Sequence, residues 1–298
     1  MTHCVVTQCV VTRCVVTRSV VTRSVLTQCV VARSRGPLVD VDGLTGTVLA
    51  AFASAVYIAP RDGPLVVLHH HVHHRTATSI IVDRGDFEAS AGAIAAGDAA
   101  VGRAGHLRIG GLVVDVRQAR MWIPGAPSAA DTPPSCTALS ARFDDPVLRC
   151  ACNELVRALL YAPQNVPAAL TALVGRGAGL TPAGDDAVIG VLAVLHRVAP
   201  DRVAAPLRAL LAEALLPMLD RTTAISAHFL RLAADGHLGE ALLEAVDDLA
   251  RRGDVADDLI DRVLAVGATS GADALAGVAS ALSGLTECGS WRMPGRIP

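Results

Sequence analysis

The sequence predicts an α+β fold: an N-terminal, mostly antiparallel β region followed by a larger α-helical region. Two observations carry this. Up to about residue 124 the chain runs in short Val- and Ile-rich stretches bounded by Gly, Pro and Asp, the pattern of strands. After about residue 136 it is rich in Ala and Leu at helical spacing. Strands in one run and helices in the next segregate into layers, whereas βαβ units would interleave them. Composition agrees. The 298 residues are 52% hydrophobic, 18% charged and 3% aromatic, so Ala, Leu and Val must build the core, and helices can approach closely through small side chains.

Residues 1–36 are set aside as a low-complexity tail. Residues 5–34 are six copies of one pentad, from VVTQC to VVARS. A period of five matches neither helix nor strand, so no face stays apolar. Residues 1–36 carry five Arg and no acid, which leaves the remainder acidic. A basic arm, a β-aggregating tract and a translated DNA repeat ahead of the true start all fit the pattern, and disorder is the expectation.

Residues 37–124 then form the β-rich domain. Strands are expected in PLVVLHH (64–70), TSIIVD (78–83), HLRIGG (106–111) and LVVDVRQARMWI (112–123). GTVLAAFASAVYI (46–58) is ambiguous between helix and strand. GAPSAADTPPS (125–135) reads as a linker. The helical domain, 136–288, is expected to hold helices near 144–161, 166–174, 182–198, 204–216, 222–235, 238–252, 255–266 and 271–284.

Several function classes fall away on composition. The formal net charge of −2 gives no electrostatic footprint for nucleic acid. The chain contains no Lys, which excludes Lys nucleophiles and Schiff bases and leaves Arg and backbone N–H groups to hold anions. No stretch reads as a secretory signal or a membrane span. The eight cysteines are therefore read as reduced thiols in a cytoplasm. Cys150 and Cys152 lack a second pair at metal-site spacing and read as small hydrophobes at a helix start. In HHHVHH (69–74), a strand would place His69, His71 and His73 on one face at a spacing able to chelate zinc. No further ligand is marked nearby, so solvated histidines at a strand end are the competing reading.

The informative chemistry is in the helical half. GRGAGLTPAGDD (175–186) alternates Gly175, Gly177 and Gly179, which suits backbone at positive φ or close approach. Thr181 can cap, Pro182 suits the first helical position, and Asp185 and Asp186 fall in the first turn. The stretch is a glycine loop delivering a helix N-terminus. It lacks the Lys of a Walker loop and the spacing of a dinucleotide fingerprint.

GATSGADALAGVASAL (267–282) echoes it. Gly267, Thr269, Gly271, Asp273 and Gly277 follow the order of Gly179, Thr181, Gly184, Asp186 and Gly190. A mid-helix Gly costs about 1 kcal/mol against Ala. Two at matching positions point to a close crossing of two helix backbones, with the helix N-termini adjacent. Paired N-termini favour an anion, while the carboxylates oppose a bare one. A ligand with an anionic end and N–H donors suits that mixture; so do Mg²⁺ held by the carboxylates, or capping with no ligand. In TTAISAHFLRLAADG (222–236), Thr222 and Ser226, and Thr223 and Ser226, share a face at helical spacing, either towards a ligand or as a cap with a back-bonded Ser.

These three stretches, in this order, resemble the AllH-like family, long a domain of unknown function and named for a subunit of bacterial oxamate carbamoyltransferase. The resemblance spans roughly residues 40–285, strongly in the helical half and loosely before it. Ala178 stands where the family commonly has Pro, and Ala183 where Ser is common. The resemblance implies a subunit that acts with an FdrA-type partner, itself similar to acyl-CoA synthetases. Together they interconvert oxamate plus carbamoyl phosphate with oxalurate plus phosphate, in purine or allantoin nitrogen use.

The ligand so implied carries both an anion and an amide, as the paired N-termini require. Backbone N–H groups around Gly177, Gly179, Gly184 and Gly271, with Thr181, Thr223, Ser226, Thr269 and Ser270, are the expected substrate-binding set. Asp185, Asp186 and Asp273 are the expected catalytic carboxylates, orienting –NH₂ or holding Mg²⁺. No covalent nucleophile is needed, because carbamoyl transfer requires positioning and charge neutralisation. A non-catalytic binding or scaffolding subunit and a His-cluster metal hydrolase are the other readings.

Overall fold

The computed structural model describes residues 28–126, 134 and 145–289. The pentads before residue 28 and most of the linker lie outside the described residues. Within them a β region precedes a helical region, as expected.

Ten strands form one sheet in the order β1-β9-β8-β7-β3-β4-β5-β6-β2-β10. Its centre is a meander. The hairpin β3 (Thr45–Ala51) and β4 (Ala55–Pro60) comes from the ambiguous 46–58 stretch, and β3 also pairs with β7 (Ala99–Arg103). β5 (Val66–His69), β6 (Ser79–Ile81), β8 (His106–Ile109) and β9 (Leu112–Asp115) occupy the expected runs. Most pairings are antiparallel; β5–β6 is parallel. The run 112–123 breaks in two. The Asp115 carboxylate accepts from the backbone N–H of Arg117, turning the chain before β10 (Arg120–Met121).

The sheet curls because one stretch of chain serves both of its ends. β1 (Gln28–Val31) pairs parallel with β9, and β2 (Ser34–Arg35) pairs with β6 and β10. Residues 28–31 and 34–35, at the end of the repeat, are sheet strands. Val30, Ala32 and Ser34 are buried while Val31 is exposed. Two strands of four and two residues need only that short alternation, which a pentad repeat can supply once although it cannot sustain it. Helix α1 (Arg84–Ala91) and β7 were not anticipated. α1 buries only Phe87 and Ser90, and β7 reads AAVGR, so neither carries a strong apolar period.

The helical region packs α2 (Pro146–Tyr161), α3 (Val166–Thr171), α4 (Ala183–Arg197), α5 (Asp201–Leu215), α6 (Ala224–Ala234), α7 (Glu240–Arg252), α8 (Asp257–Leu264) and α9 (Ser270–Glu287) around one core. α2 starts where Asp145 accepts from the N–H groups of Val147 and Leu148, with Pro146 following. α4 is central: its buried residues go round the whole helix, so apolar neighbours enclose it on every side. Among the described residues no helix is long and apolar enough to cross a membrane.

Polar contacts fasten the two regions together. The Arg75 guanidinium pairs with Glu240 at 2.5 Å, and the Glu240 N–H donates to the Arg75 carbonyl. Thr78 bonds to His228 at 3.0 Å, and burial pushes that imidazole down to about 4. Arg197 pairs with Asp247 and also donates to the carbonyls of Gly125 and Ala126, so the first residues of the linker are tied to the helical core.

Candidate functional site

The glycine echo marks a real crossing. A Cβ on Gly190 would lie 1.9 Å from the Ala274 carbonyl oxygen, and one on Gly277 would lie 1.9 Å from that of Ala187. α4 and α9 therefore touch backbone to backbone, each through its own glycine. Their N-termini meet as well: the Thr181 and Ser270 hydroxyls are hydrogen-bonded at 2.7 Å. Thr181 thus bridges the helices instead of capping α4, which begins one residue later than expected, with Pro182 in the cap position.

The loop ahead of α4 holds Gly175, Gly177 and Gly179 at φ of 77°, 117° and 96°, which side-chain-bearing residues rarely adopt. Gly184 packs on the Leu173 carbonyl, and its N–H donates to Arg176. Gly271 packs on the Val263 carbonyl, and its N–H donates to Val266.

Adjacent aspartates have different fates. Asp185 is fully buried, and both its oxygens accept from protein donors: Oδ1 from the Gly175 N–H at 2.8 Å, Oδ2 from the hydroxyls of Thr222 and, at 2.7 Å, Ser226. Thr223 caps α6 by accepting from the Ser226 N–H and donates to the Leu180 carbonyl. Asp185, Thr223 and Ser226 clasp the glycine loop to the start of α6.

Asp186 points the other way. It is 6% exposed and lines a cavity of about 740 Å³, with Gly179, Thr181, Thr269, Ser270 and Gly271 around it. Its Oδ2 is buried without a partner. Burial raises this carboxyl to about 7, against the opposing hydrogen bonds of Ser270 and Thr181 and with added repulsion from Asp273 and Asp185. A carboxyl poised near neutrality in a cavity can accept an N–H or exchange a proton. Asp273, in the first turn of α9, also has a buried, unpartnered Oδ2. Burial raises it, Thr269 lowers it, and Asp145 repels it.

Sequence reasoning missed the far wall. It comes from the sheet: His69, His71, His74 and Thr76 line the same cavity. β5 ends at His69, so His69, His71 and His73 do not share a strand face as expected. Beyond it the chain turns, stacking His71 on His74 with ring centroids 5.0 Å apart. The His71 N–H donates to His69 Nδ1. Burial, reinforced by the neighbouring histidines, holds His69 down to about 3 and His74 to about 4. The signal was the HHHVHH run itself, but only the fold puts it opposite α4.

Among the described residues no group of three or more His, Cys, Asp or Glu is placed to hold a metal ion. Both Asp185 oxygens are engaged by protein donors, which leaves Asp186 and Asp273 as the aspartates with an unpartnered oxygen. Cys152 is buried in the core, its thiol pushed up to about 12 by burial with Asp145 and Asp273 nearby, whereas Cys150 is exposed.

Residues 173–282 match the family model described as oxamate carbamoyltransferase subunit AllH. Residues 173–282 are thus similar to AllH. The match takes in the glycine loop and every helix from α4 to α8, with most of α9. It leaves out the β region, so the histidine wall of the cavity lies outside the AllH-like segment. No solved structure matches the chain.

Proposed function

We propose that this chain is a subunit of a carbamoyltransferase, acting with an FdrA-type partner in purine or allantoin nitrogen use in the cytoplasm. In this reading its cavity takes the amide-bearing substrate at the paired N-termini of α4 and α9. The observation that carries the reading is the Asp186 carboxylate, buried and with one oxygen unpartnered, in the cavity beside the Thr181–Ser270 bridge. That oxygen accepts the substrate –NH₂. Ser270 and Thr269 meet the carboxylate or carbonyl end, helped by the positive ends of two helices. Asp185, Thr223, Ser226 and Gly184 brace the loop, and Asp273 adds negative charge behind Asp186. Transfer then needs alignment of the carbamoyl donor and its acceptor, and neutralisation of developing charge.

The experiment is isothermal titration of the chain with oxamate, oxalurate and carbamoyl phosphate, alone and with an FdrA-type partner, together with an assay of oxalurate formation. Binding of at least one compound, weakened tenfold or more by Asp186→Asn, is the expected result. Asp186→Asn with unchanged binding and transfer would remove the site.

A further inference from the structure

We infer that the ligand of this cavity is a carbamoyl or ureido compound with an apolar body, neutral or singly charged. This rests on the reading that Asp186 receives the ligand's N–H. At about 740 Å³ the cavity has room for a drug-sized molecule, whereas oxamate and carbamoyl phosphate have only a handful of non-hydrogen atoms. Away from the helix N-termini and the histidine wall, its lining includes apolar side chains: Val67 from the sheet, and Ile189, Phe229, Leu238, Leu242 and Val266 from the helical side. Among the described residues that line it there is no Arg. Its carboxylates are Asp186 and Glu240, and Glu240 is already paired with Arg75. His69 and His74 stay neutral at pH 7 because they are buried. A second negative charge on the ligand would therefore meet no fixed cation, only the two helix ends.

The polar demands are specific. Asp186 and Thr76 both line the cavity, one from each region, and Asp186 Oδ2 and Thr76 Oγ1 are each without a hydrogen-bond partner. An N–H donor satisfies the first, and a carbonyl or hydroxyl satisfies the second. A carbamoyl head offers both groups, and the apolar walls take the rest of the molecule. The histidine wall and Thr76 lie outside the AllH-like segment, so this part of the cavity can set a ligand preference of its own.

Titration calorimetry on the full chain tests this with N-carbamoylglycine, N-carbamoylalanine, N-carbamoylleucine and N-carbamoylphenylalanine beside oxamate and carbamoyl phosphate. Each buried methylene is expected to tighten binding about fourfold. N-carbamoylleucine should then bind at least tenfold tighter than N-carbamoylglycine, and tighter than either small anion. Ala241→Leu, which fills an apolar wall, should erase that gain and leave N-carbamoylglycine unchanged. Asp186→Asn should weaken the whole series. Equal affinities across the series, tightest binding by carbamoyl phosphate, or no binding by any probe overturns the inference. If the small anions bind tightly and still depend on Asp186, the carbamoyltransferase reading survives that failure.

Discussion

The hydroxyls of Thr181 and Ser270 lie 2.7 Å apart and join the loop just ahead of α4 to the first turn of α9 across 89 positions of sequence. Asp186 borders that bridge, and its hydrogen bonds to Ser270 and Thr181 arise there. A double-mutant cycle with Thr181→Val and Ser270→Ala, read by denaturant unfolding, should give a coupling of about 1 kcal/mol. Additive effects would mean the bridge does not form in solution.

The glycine crossing makes a sharper prediction, because propensity and packing pull opposite ways. Ala in place of Gly277 gains about 1 kcal/mol of helix propensity. Its Cβ, however, meets the Ala187 carbonyl at 1.9 Å, and overpacking of that kind costs about 1–3 kcal/mol or more. Gly277→Ala should lower the urea midpoint. A raised midpoint would show that α4 and α9 stand further apart.

Asp185 and Asp186 should separate cleanly. Asp185→Ala leaves the Gly175 N–H and the Thr222 and Ser226 hydroxyls without their acceptor, a loss of about 3 kcal/mol or more. Asp186→Asn removes no protein-satisfied oxygen at Oδ2 and should fold as well as the unsubstituted chain or better. Circular dichroism melts of the two variants at pH 7.5 decide it.

The pH dependence of stability has two opposing parts. Asp186 titrates near 7 when folded and near 3.8 when unfolded. Between those values the native state holds the extra proton, so stability falls as pH rises, by up to about 1.4 kcal/mol per pH unit. His69 and His74 act in the opposite sense. Their folded values of about 3 and about 4 lie below the usual 6.5, so the unfolded chain takes up protons first and stability falls as pH drops below 6.5. Asp186→Asn should therefore steepen the acid loss and leave the protein more stable at pH 8. Identical pH profiles for the variant and the parent chain would put Asp186 in contact with water.

Much of this was legible locally. The apolar period separated strands from helices, and the cost of a mid-helix glycine made Gly190 and Gly277 conspicuous enough to pair two helices. The weakly patterned α1 and β7, and the strand hidden in the last pentads, were not legible, because their burial depends on neighbours and not on their own periodicity. Val30 is inward only because β9 lies beside it.

Sequence alone determined the α+β order, the glycine loop and its echo, because each is written in residues a few positions apart. Tertiary structure alone decided which carboxylate faces the cavity. Asp185 and Asp186 are equivalent as letters, but hydrogen-bond donors 10, 37 and 41 positions away saturate the first. Successive helical residues point about 100° apart, so the second turns to the cavity, where a histidine wall from the sheet closes the other side.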